Sequence, residues 1–170
     1  MRKSILILIL ILAFSLFFTS CSDNTDNEAV SNTQISQTQE QLLSHNIKEE
    51  TEKMLSMKIN GEAVSVEWEN NDSVNEIKKL CLSNPITINM SMYGGFEQVG
   101  SIGAEIPRND KQITTSPGDI MLYSGNQLVV FYGSNSWSYT RLGKITDKNS
   151  SELEKLLSAG DVSITISLEG

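Results

Sequence analysis

Hydrophobic and polar residues alternate with a period of two along several stretches of the chain beyond Met54. The clearest are residues 64–68, 86–92 and 162–168, in which Val, Ile, Met, Trp or Leu alternates with Ser, Thr, Glu or Asn. A period of two is that of a β-strand with one buried face and one polar face. The pattern therefore predicts three strands that each place one face against a core.

Short polar or glycine-containing segments separate these runs and predict hairpins. Asn60-Gly61 is a strong two-residue turn signal, and Ser-Gly-Asn-Gln at residues 124–127 separates two further apolar runs, 120–123 and 128–132. Residues 128–132 are apolar at every position. A short continuous apolar run predicts a strand that is covered on both faces.

Two segments have the signals of short helices. Residues 73–76 and 151–154 both place a Glu three positions after a Ser, which is the spacing of a capping box. The apolar residues that follow the two signals are Val74, Ile77, Leu80 and Cys81 in the first segment and Leu153, Leu156 and Leu157 in the second, before Gly160. Two short helices among seven or eight strands predict a mainly β fold, a closed or nearly closed barrel whose ends the helices cover.

The first twenty residues have the pattern of a signal peptide. Arg2 and Lys3 precede an apolar run over residues 5–18 that only Ser15 interrupts. A run of this length is shorter than the roughly twenty residues that a transmembrane helix needs. It is typical of the apolar region of an export signal.

The segment Phe18-Thr19-Ser20-Cys21 resembles a lipobox, the motif at which lipoprotein signal peptidase cuts. Phe18 departs from the usual Leu, Val or Ile. The resemblance implies cleavage before Cys21 and a lipid on its thiol, which would hold the mature protein on the exported side of a membrane, in the cell envelope. The alternative is an ordinary secretory signal that ends near a cysteine.

A polar segment separates Cys21 from the alternating pattern. Residues 22–50 are rich in Ser, Asn, Thr, Gln, Asp and Glu and contain no aromatic residue. Such a composition does not bury enough surface to offset the entropy of ordering, so we expect a flexible tether. The predicted organisation is a signal peptide over 1–20, a lipidated cysteine and tether over 21–53, and one folded domain over 54–170.

Charge and composition narrow the classes of function. The formal net charge is −8, and it becomes −10 when Arg2 and Lys3 leave with the signal peptide. Nucleic-acid binding is therefore disfavoured, because phosphate contacts need clustered Lys and Arg.

The only histidine, His45, lies in the tether, and Cys81 has no cysteine partner once Cys21 carries lipid. We therefore expect no metal, no cofactor and no disulfide, and we expect Cys81 to be a buried, inert thiol.

Three segments of the predicted domain form a recognisable set: Pro-Gly-Asp-Ile-Met-Leu-Tyr at 117–123, Gln-Leu-Val-Val-Phe-Tyr-Gly at 127–133 and Ser-Tyr-Thr-Arg-Leu-Gly-Lys-Ile at 138–145. They are similar to the corresponding segments of the small bacterial cyclophilin-like domains. The following helix and the closing strand also fit, so the resemblance covers about residues 57–169. It implies a cyclophilin-type β-barrel of about eight strands.

Cyclophilins proper are peptidyl-prolyl isomerases, and their signature includes a Phe-His-Arg strand followed by a Gln. This chain contains no Phe-His-Arg sequence. The resemblance therefore implies the barrel without the usual isomerase residues, and no catalytic residue is assigned.

Arg141 is the charged residue that the sequence singles out for binding. It follows Trp137 and Tyr139 in the segment with the strongest family resemblance. Its guanidinium group is suited to donate to a ligand carbonyl or carboxylate in a groove. The alternative is that Arg141 pairs with an acidic residue at the barrel rim. Trp137, expected in a loop, would either contact a ligand or cover the barrel end.

A second group of candidate binding residues surrounds Gly94-Gly95. Met92, Tyr93 and Phe96 combine flexible and aromatic side chains next to a glycine turn, a combination that lines adaptable grooves. The alternative is an ordinary core and turn.

The leading hypothesis is a membrane-anchored module that binds a peptide or small molecule near Arg141. The other hypotheses are a divergent prolyl isomerase that acts on exported proteins and a purely structural envelope protein.

Overall fold

The computed structural model describes residues 53–169, and the expected signal peptide, Cys21 and nearly all of the tether lie outside the described residues. The elements follow one another along the chain in the order β1 (Leu55–Ile59), β2 (Glu62–Val64), β3 (Val66–Trp68), α1 (Asp72–Leu80), β4 (Ile86–Tyr93), β5 (Glu97–Ser101), β6 (Lys111–Thr114), β7 (Asp119–Tyr123), β8 (Gln127–Phe131), β9 (Ser136–Ile145), α2 (Ser150–Leu157) and β10 (Val162–Leu168).

Nine of these strands form one antiparallel path in the order β2-β1-β10-β4-β5-β8-β7-β9-β3, and β6 pairs with the first half of β9. The path begins with β2 and ends with β3, and only Ser65 separates these two strands along the chain. The two ends of the sheet therefore meet at Ser65, and the barrel is nearly closed. If β2 and β3 are counted as one bent strand, the barrel has eight strands, as expected, and β6 is an addition outside it.

The predicted hairpins are confirmed. Asn60 and Gly61 have φ values of 51° and 84°, and Ser124 and Gly125 have 54° and 84°. Positive φ at two successive residues matches the right-handed twist of the flanking strands. The first pair of residues joins β1 to β2, and the second joins β7 to β8.

The core has two parts, because β7 and β8 are buried on both faces. Inside the barrel, Leu128 and Val130 pack with the inward-facing residues of the other strands and of both helices. On the outer face a smaller cluster, which we call the outer cluster, is formed by Met121, Val129, Phe131 and Tyr139, with Phe96, Val99 and Ile113 packed against it. The prediction that residues 128–132 are covered on both faces is confirmed, since all five are at most 8% exposed.

The helices lie close to their predicted positions but begin at other caps. The side chain of Asn71, not Ser73, accepts from the Val74 amide, and the hydroxyl of Ser73 donates to the Pro107 carbonyl over 2.6 Å. In α2 the capping box joins Asn149 and Glu152 rather than residues 151 and 154. Asn is as good a cap as Ser, and here it precedes Ser in both segments, so each helix starts earlier than predicted.

The buried face of α1 is narrower than predicted. Val74, Ile77 and the following Cys81 are buried, but Leu80 is 37% exposed. Successive helix positions differ by about 100°, which turns Leu80 away from the side on which Cys81 is packed. Cys81 is a free buried cysteine, as expected, and burial raises the pKa of its thiol.

Among residues 53–169, no helix has the length and hydrophobicity that crossing a bilayer requires.

Candidate functional site

Strand pairing determines which side chains share the outer face of the barrel. Glu97 on β5 lies opposite Tyr93 on β4 and opposite Phe131 on β8, and Val99 lies opposite Val129. Directly opposed residues of antiparallel strands project to the same side of the sheet, with their Cβ atoms roughly 5 Å apart. Tyr93 and Glu97 therefore stand on the same surface as the outer cluster.

A cavity of about 450 Å³ opens on this surface. We call it the aromatic cavity. Its lining comes from strands β4, β5, β7, β8 and β9 and from the segment before β9, and it comprises Tyr93, Glu97, Val99, Tyr123, Gln127, Val129, Asn135, Trp137 and Tyr139. Four of the nine lining residues are aromatic, and the volume lies within the range of small-molecule sites.

The aromatic rings at the base are held by one another and by one hydrogen bond. The ring of Tyr139 meets Phe131 edge to face at a centroid distance of 5.6 Å and meets Tyr123 in the same manner at 6.0 Å. The amide Nδ2 of Asn135 donates to the Tyr139 hydroxyl over 3.1 Å. These contacts orient Tyr139, which is 3% exposed, while Tyr93 and Trp137 at the rim are more than half exposed.

Glu97 places a carboxyl group in this largely apolar environment. The residue is 5% exposed, and its Oε2 atom is buried without a hydrogen-bond partner among residues 53–169. Burial raises the pKa of Glu97 from 4.5 to about 7, because the charged form loses its hydration. Among the described residues 53–169, no Lys, Arg or His lines the cavity. Burial and the charge of Glu97 together raise the pKa of Tyr139, so its phenol stays neutral.

Arg141, two residues beyond Tyr139 on β9, lies in a second, more polar cavity of about 490 Å³ that also includes Asn71, Arg108 and Lys111 and that Tyr139 lines as well. The Arg141 guanidinium donates to Asp119 Oδ1 over 2.9 Å. This ion pair is the alternative that the sequence analysis raised for Arg141. We call this site the polar cavity.

Asp119 is the buried partner that organises these charges. Its Oδ1 also accepts from the Lys144 ammonium over 3.0 Å, and its Oδ2 accepts from the Ser116 amide over 2.9 Å. Burial by itself raises the pKa of Asp119, but the hydrogen bonds from Arg141, Ser116 and Lys144 outweigh it and lower the pKa below its usual value. The carboxylate is therefore ionised and fully engaged within the protein.

The structure separates the six candidate binding residues into distinct environments. Tyr93, Trp137 and Tyr139 line the aromatic cavity together. Phe96 lies beneath them, stacked on Phe131 at a centroid distance of 6.5 Å. Met92 points to the opposite side of β4 and is 45% exposed. Arg141 borders the polar cavity. Trp137 belongs to β9 rather than to a loop, because it pairs with Ile113 of β6.

Sequence reasoning did not select Glu97, Tyr123 or Asn135 for this site. Glu97 and Tyr123 occupy strand positions in phase with the outward-facing residues of the outer cluster. The sequence signal for Glu97 is an acidic residue at a strand position whose neighbours on the same face are apolar. This signal is informative only when both faces of the strands are known to be covered. Among residues 53–169, no group of three or more side chains is placed to hold a metal ion.

Solved structures share this fold at low sequence identity. McbB, whose structure was determined in complex with tryptophan, is 14% identical with a TM-score of 0.50, and the similarity covers 69% of this chain but 45% of McbB. The hypothetical protein AF2241 from Archaeoglobus fulgidus is 16% identical with a TM-score of 0.50, over 69% of this chain and 95% of AF2241. No curated protein matches the chain significantly.

A family model gives the assignment. The model of the cyclophilin-like family matches residues 57–167, which is nearly all of the described part and well over half of the chain. The matched segment contains all of the barrel except the first two residues of β1 and the last residue of β10. Both cavities lie within it, and the chain belongs to the cyclophilin-like family.

Proposed function

We propose that this protein is a lipid-anchored binding module whose ligand occupies the aromatic cavity. The anchor rests on the lipobox-like segment that ends at Cys21 and on the polar tether that follows it. On this proposal the barrel is held at the exported side of a membrane and presents the cavity to the surrounding space. The partner would be a small molecule or a peptide, with no role for nucleic acid or metal.

The distribution of exposed apolar side chains carries the proposal. Within residues 53–169, six large apolar residues are strongly exposed, and three of them line the aromatic cavity: Tyr93, Tyr123 and Trp137. Exposed aromatic side chains that converge on a concave surface mark a binding site, because a ligand that covers them releases their hydration water and lowers the free energy of the system. The other three, Met54, Leu80 and Met92, line no part of it.

The aromatic cavity supports binding better than the polar cavity near Arg141. Three polar groups that line the polar cavity already have partners: Arg141 pairs with Asp119, Thr140 with Asp110, and Asn71 with the first turn of α1. A ligand there would have to compete with these contacts. In the aromatic cavity, the Oε2 atom of Glu97 is buried without a hydrogen-bond partner among residues 53–169.

A prolyl isomerase function is the second candidate, because cyclophilin-type barrels include isomerases. An apolar surface that excludes water suits a proline ring. Isomerisation also needs a donor that weakens the resonance of the amide, whose barrier is about 18–20 kcal/mol. The guanidinium of Arg141, two residues beyond Tyr139 on β9, is bound to Asp119. Binding without isomerisation is therefore the function that we favour.

Ligand-detected NMR on the full chain in a non-ionic detergent tests the proposal. The panel contains cationic, neutral and anionic small molecules and proline-containing peptides. We expect binders whose affinity falls in Trp137→Ala and stays unchanged in the matched control Met92→Ala, which removes a comparably exposed apolar side chain outside the cavity. If no compound binds, or if Trp137→Ala leaves every affinity unchanged, the proposed site is rejected. Turnover of a proline peptide by the same preparation would establish the isomerase instead.

A further inference from the structure

We propose that the aromatic cavity is selective for an organic cation, a small molecule that carries an ammonium group. This inference rests on the proposed binding function and specifies the chemistry of its ligand. Two independent features of the cavity support it: aromatic rings arranged around an open space, and a buried carboxyl group that has no partner within residues 53–169.

The rings supply the first part of the recognition. Tyr93, Tyr123, Trp137 and Tyr139 come from three strands, β4, β7 and β9, and surround one space. The face of an aromatic ring carries partial negative charge, and it attracts a cation within about 6 Å of the ring centroid. Several rings around a cation also replace the water that it loses, which favours alkylated ammonium groups because they are weakly hydrated.

Glu97 supplies the second part. A buried carboxylate without a partner is costly, and within proteins such groups normally pair with a cation or accept hydrogen bonds. Glu97 is 5% exposed, and it belongs to the cavity wall. A ligand ammonium group in the cavity would pair with it. An anionic ligand would meet an acidic group and no basic one.

The charges around the cavity agree with this selectivity. Its titratable lining groups are Glu97 and the phenols of Tyr93, Tyr123 and Tyr139, and none of them is basic. The basic groups of Arg141 and Lys144 lie outside the lining and are paired with Asp119, and Lys111, which is opposite Tyr139 on β6, is exposed and also lies outside the lining. The whole chain has a formal net charge of −8, which attracts cations toward its surface.

The ionisation of Glu97 connects binding to pH. With a pKa of about 7, Glu97 is partly protonated near neutrality in the free protein. A bound cation stabilises the ionised form, so binding releases a proton. The affinity for a cation should therefore rise between pH 6 and pH 8 and should level off above that range.

Calorimetric titration of the full chain with choline and with 3,3-dimethylbutan-1-ol, its uncharged isostere, tests the inference. We expect choline to bind at least about tenfold more tightly than the isostere, since each tenfold corresponds to about 1.4 kcal/mol and an ammonium over several desolvated rings gains that much. Butylammonium, a primary amine, shows whether the site prefers an alkylated ammonium. Glu97→Gln should weaken choline binding about tenfold and abolish its rise between pH 6 and pH 8.

Two control variants separate the possible failures. Glu105→Gln neutralises an exposed carboxylate outside the aromatic cavity, and Met92→Ala removes an exposed side chain outside it; neither should change the affinity for choline.

If the isostere binds as tightly as choline and both lose affinity in Trp137→Ala, the cavity is a binding site but not a cation site. If Glu97→Gln binds choline as the unchanged protein does at every pH, the inference is also overturned. Absence of binding by choline and butylammonium rejects the cation inference alone, because the broader NMR panel decides the proposed function separately.

Discussion

The guanidinium Nη1 of Arg141 lies 2.9 Å from the carboxylate Oδ1 of Asp119, and the contact joins the middle of β9 to the first residue of β7. Asp119 is 2% exposed, whereas a third of the Arg141 side chain is exposed. A buried carboxylate depends on such partners, because without them it would be ionised in a poorly hydrated environment.

Replacement of Arg141 by Ala should therefore lower the free energy of unfolding. We expect a loss of about 1–3 kcal/mol at pH 7, less than for complete isolation of a buried charge, because Lys144 and Ser116 still contact Asp119. Since the folded-state pKa of Asp119 is lowered, its contribution is present at neutral pH and is lost as the pH falls through that pKa. Urea denaturation at pH 7 and at pH 3 measures both effects.

Arg108→Ala is the matched control for Arg141→Ala. Arg108 and Asp110 are 3.4 Å apart, and 53% of the Arg108 side chain is exposed, so removal of this pair should cost less than about 1 kcal/mol. Equal effects of the two substitutions at pH 7 would show that Asp119 does not depend on Arg141. Arg141→Lys keeps the charge and should have an intermediate effect, because the ammonium loses the planar geometry of the guanidinium.

Glu97→Gln should make the protein more stable at alkaline pH. Because the folded-state pKa is raised from 4.5 to about 7, the contribution of Glu97 to stability is fully present below pH 4.5 and is lost as the pH rises through 7. Above pH 7 the neutral Gln avoids this loss, which amounts to at most about 3 kcal/mol. Thermal melts of both proteins between pH 4 and pH 8.5 should coincide at the acidic end and diverge with increasing pH. Parallel curves would mean that Glu97 ionises normally.

Gly100→Ala should destabilise the barrel strongly. A Cβ atom at Gly100 would lie 2.6 Å from the backbone oxygen of Asn89 and 2.6 Å from the sulfur of Met90, inside a close crossing of β5 and β4. Backbone does not yield easily, so we expect a loss of about 1–3 kcal/mol, typical of an overpacked core. Asn89→Ala, which changes only an exposed side chain on the neighbouring strand, should be nearly neutral. A comparable midpoint for the two variants in urea denaturation would contradict the expected steric conflict.

Cys21→Ser should abolish lipidation, because the serine hydroxyl does not replace the thiol that takes the lipid. The variant should remain an uncut precursor or be released from the membrane. Detergent partitioning and mass spectrometry of the mature N-terminus measure the outcome. An unmodified N-terminus at a position other than Cys21 in the unchanged protein would reject the lipid anchor.

Local residue order was sufficient to predict much of the barrel. The alternation over residues 86–92 and 162–168 became β4 and β10, and Asn60-Gly61 formed the predicted turn, because strand periodicity and positive φ depend on neighbouring residues alone. The residue that caps each helix could not be predicted as well from the local sequence. Asn71 and Ser73 are both suitable caps, and the contact of Ser73 with Pro107, which lies 34 positions further along the chain, is not visible in local sequence.

The site depended on pairings between distant strands. Tyr93, Trp137 and Tyr139 were selected from the sequence as aromatic residues near glycine or near Arg141, but only strand order β4-β5-β8-β7-β9 brings them to one cavity. The sequence carried only a weak signal for Glu97, because its unusual environment arises from its opposition to Phe131, 34 positions away. Sequence by itself therefore determined most of the elements and the resemblance to the family, and it predicts an anchor at Cys21, a residue outside those that the structure describes. Tertiary structure alone decided that Arg141 is paired with Asp119 and that a buried carboxyl group lies among the aromatic rings, since both depend on long-range register.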